Sequence, residues 1–319
     1  MKKIAITLGI AILGLTSCNQ FKKGEGDLQY KLLTDKGGAP IKIGDFVAFK
    51  AIEKTEGDSI LFSSYDYDRS ALLVREKSIF KGDLYSALGL LSEGDSAVFK
   101  INIDSMATKM GRPKPAGNKG KYLLYTIKVE KVIPKEKLTD SLFRNKIDAF
   151  LKEESSKAKN TEDAKLKAYI NTKNLKTITS PSGLHYVITK EGAGAKAGVG
   201  DTVRVNYTGM FLSGKVFDTS LPEVAKKAGT FNSMRPYEPL KVSVGTHALV
   251  PGFDEGLLLF PQGTKATLIM PSKLAYGEQG NSGIPPYTPL VFEIEIINII
   301  PKKAGPTASI APTAKPSKQ

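Results

Sequence analysis

The 319 residues suit two domains plus connectors. Hydrophobic residues make up 41% and aromatics 8%, enough for packed cores, which excludes wholesale disorder. The formal net charge of +14 could favour anionic lipid or nucleic acid, but the lysines are scattered and no nucleic-acid module is recognisable, so the charge reads as a solvated basic surface with no nucleic-acid partner.

At the N-terminus, "MKK" precedes the apolar run "IAITLGIAILGLTS" and then Cys18. A basic start and a short apolar stretch read as a secretory signal, too short to span a bilayer comfortably. The small residues before the cysteine, in "LGLTSC", resemble the lipobox of bacterial lipoproteins. That resemblance implies a signal peptide over 1–17 and lipidation of Cys18. The chain would then be lipid-anchored in the cell envelope, at the outer membrane, facing the periplasm or the surface. The other reading is an ordinary signal peptide, or a small anchor helix, with an incidental cysteine. Cys18 is the chain's one cysteine, which excludes an intrachain disulfide scaffold. With only two histidines, a structural zinc site is not expected, and no metal is assigned. Residues 18–27 are polar and glycine-bearing, as a tether should be.

Two β-rich segments follow, over 28–134 and 180–301, and they resemble each other. "GDFVAF" and "GDSILFSS" in the first parallel "GDTVRVNYTG" and "GKVFDTS" in the second. "LLSEGDSAVFKI" parallels "LLFPQGTKATLIM", and each copy closes on a long apolar strand ending in proline, Pro134 or Pro301. Gly94 to Gly263 and Pro134 to Pro301 span nearly the same interval, which points to one duplicated domain. Between them, 135–179 reads as a helical linker. Thr139 or Asp140 can cap a helix, with Leu142, Phe143, Ile147, Phe150 and Leu151 on one stripe. A second helix is expected from Thr161, with Glu162 and Asp163 in its first turn and Leu166, Tyr169 and Ile170 as its apolar residues. Such a stripe either packs within the chain or forms a homodimer seam; it is short for a coiled coil, which favours the former. The tail, 302–319, is rich in Ala, Pro, Lys and Ser and reads as disordered.

In the second β-rich segment, "LHYVIT" sets Leu184, Tyr186 and Ile188 on one face. "TVRVNY" does the same for Val203, Val205 and Tyr207, and "VFEIEII" for Phe292, Ile294 and Ile296. "LVPGFDEGLLLF" breaks this rhythm: Pro251 suits the first turn of a helix, as do Asp254 and Glu255, and Val250, Phe253 and Leu257 share its inner side. A short helix laid across a curved sheet would bring Val250 and Phe253 over Tyr207 and Phe292, making an aromatic hollow for a small apolar ligand.

"VNYTGMFLSGKVFDTS", "LVPGFDEG", "LIMPSKLAYGEQG" and "GIPPYTPLVFEIEI" occur in the order found in FKBP-type peptidyl-prolyl cis–trans isomerases, a resemblance covering 180–301. It implies an α+β fold, a curved antiparallel sheet wrapped on a short helix. With the first copy read as a degenerate FKBP-like domain, the chain has two such domains joined by the helical linker. It implies peptidyl-prolyl cis–trans isomerase (rotamase) activity that assists folding of exported proteins, with no cofactor. By motif, Asp218 and Tyr276 match the catalytic positions, and Tyr207, Phe217, Leu249, Val250, Phe253, Ile284 and Phe292 the substrate-binding ones. Partners would be proline-containing unfolded or exported polypeptides, with macrolide inhibitors as ligands. Departures bear on preference: Phe253 stands where Trp is frequent, Leu240 where an aromatic is common, Asn281 near a position that is sometimes His, and 221–238 is longer than in minimal members. In the first copy Phe62 aligns with Phe217, Ser63 replaces the acid, Ala51 and Leu84 fall where Tyr207 and Phe253 stand, and "AYG" is missing; it is expected to lack isomerase activity and to serve binding or dimerisation.

Rotation about an X-Pro bond breaks no covalent bond, so it needs neither nucleophile nor metal. A dry hollow can favour the twisted amide, and a fixed donor can hold its carbonyl. The expected roles are a proline ring held by the aromatics, a Tyr276 hydroxyl donating to a carbonyl, and Asp218 orienting polar groups at the rim. The alternative is a non-catalytic envelope chaperone or scaffold. A hydrolase has little support, since neither His185 nor His247 sits in a nucleophile motif.

Overall fold

The computed structural model describes residues 20–115 and 117–302; Cys18, the leader and positions 303–319 lie outside them. The chain divides into two units, the first ending at Thr139 and the second starting at Asp140, with Tyr65–Arg69 grouped with the second.

The first unit runs β1 (Lys22–Lys23), β2 (Gln29–Thr34), β3 (Phe46–Thr55), β4 (Ile60–Ser63), β5 (Ala71–Val74), α1 (Leu84–Leu88), β6 (Ser96–Asn102), α2 (Ile103–Met110) and β7 (Tyr122–Ile133). The sheet order is β1-β2-β6-β7-β3-β4, with β5 also on β3, and the pairs are antiparallel. Alternation on β7 buries Leu123, Tyr125, Ile127 and Val129 against Phe49, Phe99 and Leu88. Helix α1 starts where the Asp83 carboxylate accepts from the Ser86 amide. Helix α2 is capped by Asn102 and stops at Gly111, whose φ of 66 is a left-handed end.

The second unit runs α3 (Asp140–Thr172), β8 (Ile178–Thr179), β9 (His185–Lys190), β10 (Thr202–Phe211), β11 (Val216–Thr219), α4 (Pro222–Ala228), β12 (Leu240–Ser243), α5 (Pro251–Leu259), β13 (Lys265–Met270) and β14 (Leu290–Ile300). Its order, β8-β9-β13-β14-β10-β11 with β12 on β10, repeats that of the first sheet strand for strand. This is the α+β architecture read from the motifs. The inner face buries Val203, Val205, Leu268, Ile294 and Ile296 with Phe253 and Leu257 of α5. Helix α5 opens on Pro251, and its Asp254 carboxylate accepts from the Gly245 amide at 2.8 Å.

The helical segment differs from expectation. Instead of a second helix starting at Thr161, α3 is continuous through that position. The Thr161 hydroxyl donates back to the Lys157 carbonyl at 2.8 Å, the mid-helix bond of a threonine, not a cap. Nothing in "KAKNTEDAK" breaks a helix, since it has neither Gly nor Pro. Leu166 packs with Ile269 and Val291 on the outer face of the second sheet, with Tyr169 and Ile170 alongside. In the first half of the helix, Leu142 and Leu151 remain exposed.

The registers of the two sheets also move one alignment. Both β3 and β10 carry a bulge at corresponding places, and Ala51 faces Ile127 as Tyr207 faces Ile294. On the other side Ile52 pairs Ser63 and Thr208 pairs Thr219, so Glu53 faces Phe62 where Gly209 faces Asp218. The Ala51 amide donates to the Ser64 hydroxyl as the Tyr207 amide donates to Ser220, both at 2.9 Å. Phe62 therefore stands in the place of the acid, not of Phe217, and Ser63 in that of Thr219. The hairpin loop of the first copy is one residue longer between Gly57 and Ser64 than between Gly214 and Ser220, and that residue shifts the alignment.

Candidate functional site

A hollow of about 480 Å³ opens between the inner face of the second sheet and α5. Tyr207, Phe217, Asp218, Leu240, Leu249, Val250, Phe253, Tyr276 and Phe292 line it, together with Ala248, Pro251 and Ala275. Of the motif-matched residues, only Ile284 stays outside: it is buried in the same core, in a tight turn where the Asn281 and Ile284 amides and carbonyls exchange 2.8 Å bonds.

The floor is an aromatic cluster. The Phe253 and Phe292 rings meet edge to face at 5.0 Å, Phe217 meets Phe292 at 5.7 Å, and Tyr207 meets Phe253 at 6.0 Å. Gly209 is what lets these rings close up. A Cβ there would lie 2.7 Å from the Phe217 ring and 2.8 Å from the Phe292 ring. Gly256 does the same beneath the helix, where a Cβ would come within 2.6 Å of Leu268.

The rim is polar and organised. The Tyr207 hydroxyl donates to one Asp218 carboxylate oxygen at 2.7 Å, and Arg235 ion-pairs with the other. Arg235 also donates to the Tyr207 oxygen at 3.0 Å. Burial, then the bond to Asp218, pushes the Tyr207 phenol up to about 12, so it stays protonated at neutral pH. The pairing with Asp218 raises Arg235 in turn. With its proton committed to Asp218, Tyr207 offers the hollow mainly its ring.

Arg235 was not foreseen from the sequence, where it lies in the long segment after the "FD" pair. That segment forms α4 and then a turn. Phe231 and Tyr237 stack at 5.1 Å, the Tyr237 hydroxyl accepts from the Asn232 amide, and the Asn232 side chain accepts from the Met234 amide. The Arg235 guanidinium lies over the Tyr237 ring at 5.5 Å. The available signal was an arginine within the long segment, 17 residues after the acid.

On the opposite wall, Tyr276 follows the 3₁₀ turn Ser272–Leu274. The Gly277 amide donates to the Ser272 carbonyl at 2.8 Å, closing the loop. Ser272 is anchored from below: its amide and hydroxyl both donate to the buried Glu162 carboxylate of α3, the hydroxyl at 2.8 Å. Helix α3 thus holds the loop that carries Tyr276. Among the described residues no group hydrogen-bonds the Tyr276 hydroxyl, which leaves it available to a ligand. His185 bonds Thr179 at 2.8 Å and His247 sits in an exposed turn; neither reaches the hollow.

A family model described as FKBP-type peptidyl-prolyl cis-trans isomerase matches residues 194–297. FKBP-type peptidyl-prolyl cis-trans isomerase FkpA of Escherichia coli K12 is 35% identical over 189 residues, 56% of this chain and 63% of that protein's length. Outer membrane protein MIP of Legionella longbeachae is 34% identical over 179 residues, 54% of this chain and 70% of that protein. The crystal structure of FkpA from Escherichia coli has 32% identity, covers 52% of this chain and 76% of that chain, and gives a TM-score of 0.39. The chain spans just under two thirds of the length of the Escherichia coli relative. With all four motifs inside or beside the matched segment, the chain belongs to the FKBP-type peptidyl-prolyl cis–trans isomerase family.

Proposed function

We propose that this protein catalyses cis–trans isomerisation of X-Pro bonds in exported polypeptides, in the hollow of its second unit. One observation carries the reading: an aromatic floor in a hollow with ample room for a pyrrolidine, with a buried-to-half-buried wall and a single carboxylate at its rim. The barrier to be lowered is ~18–20 kcal/mol, the resonance of the amide. Phe217, Phe253, Phe292 and the Tyr207 ring hold the proline ring, with Leu249 and Val250 at the helix entry. In this dry setting the twisted amide, which has lost charge separation, is favoured over the planar one. The Tyr276 hydroxyl donates to the neighbouring carbonyl. Asp218, fixed by Tyr207 and Arg235, keeps free lone pairs at the rim to orient the substrate. Each ~1.4 kcal/mol of selective stabilisation gives a factor of ten. No covalent intermediate and no cofactor enter.

The setting we propose is the cell envelope, with the chain held by a lipid on Cys18; support comes from the leader sequence and from the outer-membrane name carried by the Legionella relative. The activity is tested by cis–trans exchange in a proline peptide with the full chain. Wild type should accelerate exchange, Asp218→Ala should slow it by roughly 10–100-fold, the value of hydrogen bonds to a charged group, and Tyr276→Phe by about tenfold. Unchanged rates in both variants would remove the assigned roles; no acceleration by wild type would remove the activity.

A further inference from the structure

The first unit has its own hollow, of about 330 Å³, under α1 and α2. Its walls are apolar: Phe49, Ala51, Leu73, Phe80, Leu84, Ile101 and Met106. Beside its mouth the surface is unusually apolar as well. Ile60 is 63% exposed, Phe62 39% and Met110 45%, and the last two line the hollow itself. Ile60 and Phe62 lie on β4, at one edge of the sheet, where backbone groups can pair with an added strand.

A polar cluster stands within these walls. Arg112 pairs with Glu53, which is only 5% exposed, and donates to the Tyr125 hydroxyl at 2.8 Å. Burial first, then Glu53, pushes the Tyr125 phenol up, so it remains neutral. The positive charge of Arg112 is therefore already balanced inside the hollow. An entering carboxylate or phosphate would meet Glu53 as well as Arg112, and would gain little. A guanidinium has five N–H donors, and two are used here. The other carboxylate in the lining, Asp83, is buried and spends both oxygens on the Ile79 and Ser86 amides, so what the site offers is apolar surface plus spare donors with no charge open to a ligand's anion. That combination suits a neutral acceptor, a backbone carbonyl, flanked by apolar side chains.

We infer that the hollow of the first unit, with Phe62, Met110 and Arg112 at its mouth, binds an extended, uncharged apolar polypeptide segment without needing a proline in it. The volume accommodates one or two side chains, and the edge strand β4 supplies main-chain pairing. The site does not isomerise, because its floor carries Glu53 and Tyr125 where the second unit has Gly209 and Phe292.

The test uses the full chain and a labelled, proline-free twelve-residue peptide of Val, Leu, Phe and Ser with blocked ends, followed by fluorescence anisotropy. Phe62→Asn and Met110→Gln, both at exposed positions, should each weaken binding at least fivefold and together at least thirtyfold, with proline-peptide exchange unchanged. Thermal melts of each variant establish that it is folded. Glu53→Gln should raise affinity for the same peptide carrying a central Asp by at least tenfold. If that variant does not fold, the two rim variants decide the matter alone. The proposal fails if wild type does not bind the peptide, if the rim variants bind as wild type does, if wild type prefers the acidic peptide, or if excess proline peptide displaces the probe completely. It also fails if sedimentation shows a dimer that Phe62→Asn dissolves, since the occupant is then a second copy.

Discussion

The two hollows share a scaffold and differ in where the bulk and the charge sit. In the second unit Gly209 leaves the floor open to the Phe217 and Phe292 rings, and the charged cluster of Asp218, Arg235 and Tyr207 stands at the rim, with side chains 36% and 41% exposed for the acid and the guanidinium. In the first unit the position of Gly209 holds Glu53, that of Phe292 holds Tyr125, and that of Asp218 holds Phe62. Both units thus assemble an acid, an arginine and a phenol, with the arginine reaching in from the mouth in each, at 42% and 41% exposure, but the acid is buried in the first unit and half-exposed at the rim in the second. The comparison teaches that this sheet tolerates the acid at either depth as long as an arginine and a phenol satisfy it. Placing the acid and the phenol at the Gly209 and Phe292 positions trades an aromatic floor for a polar one.

The sharpest way to break this comparison is to install the first unit's residue in the second. Gly209→Glu puts a side chain into the Phe217 and Phe292 rings and leaves a buried carboxylate without its arginine. We expect exchange to fall by about 100-fold or more and stability to drop by several kcal/mol, read by proline-peptide exchange and by denaturant melts. Near-normal exchange would mean that the floor is not where the ring binds.

Arg235→Ala tests whether the rim cluster needs its cation. The pair is half-exposed, so its loss should cost about 1 kcal/mol, or roughly three- to tenfold in exchange. A larger loss in salt-free buffer than at 0.5 M salt would mark the effect as electrostatic.

The smallest effect is on alkaline stability. Tyr207 holds its proton more tightly when folded, at about 12 against ~10 unfolded. Its contribution is therefore complete below pH ~10 and is lost as pH rises through about 12. Wild type should lose on the order of 1 kcal/mol more stability than Tyr207→Phe across that window, measured by urea melts at pH 9 and pH 11.5. Equal losses would mean that neither burial nor the bond to Asp218 holds the phenol's proton in the folded protein.

Much of the second unit could be read in advance because its information is local. The alternation of Val203, Val205 and Tyr207, the proline opening α5, and the sequence of motifs around Phe217, Phe253 and Phe292 all concern neighbours in the chain. The linker reading failed at Thr161 because a threonine followed by two acids looks like a cap until its hydroxyl is seen bonding Lys157. Arg235 escaped notice because only the stacked turn of Phe231 and Tyr237 aims it at Asp218.

What the chain's order of residues determined by itself is the strand and helix pattern, the doubled domain and the aromatic complement of the hollow, since periodicity of two and of 3.6 and turn chemistry act within a few residues. Tertiary structure alone decided that one extra hairpin residue puts Phe62 opposite Glu53, that Glu162 reaches Ser272 to hold the Tyr276 loop, and that the acid paired with arginine and phenol is half-exposed in one unit and buried in the other. Such pairings join residues far apart in the chain, and register and bulge position, not local preference, select them.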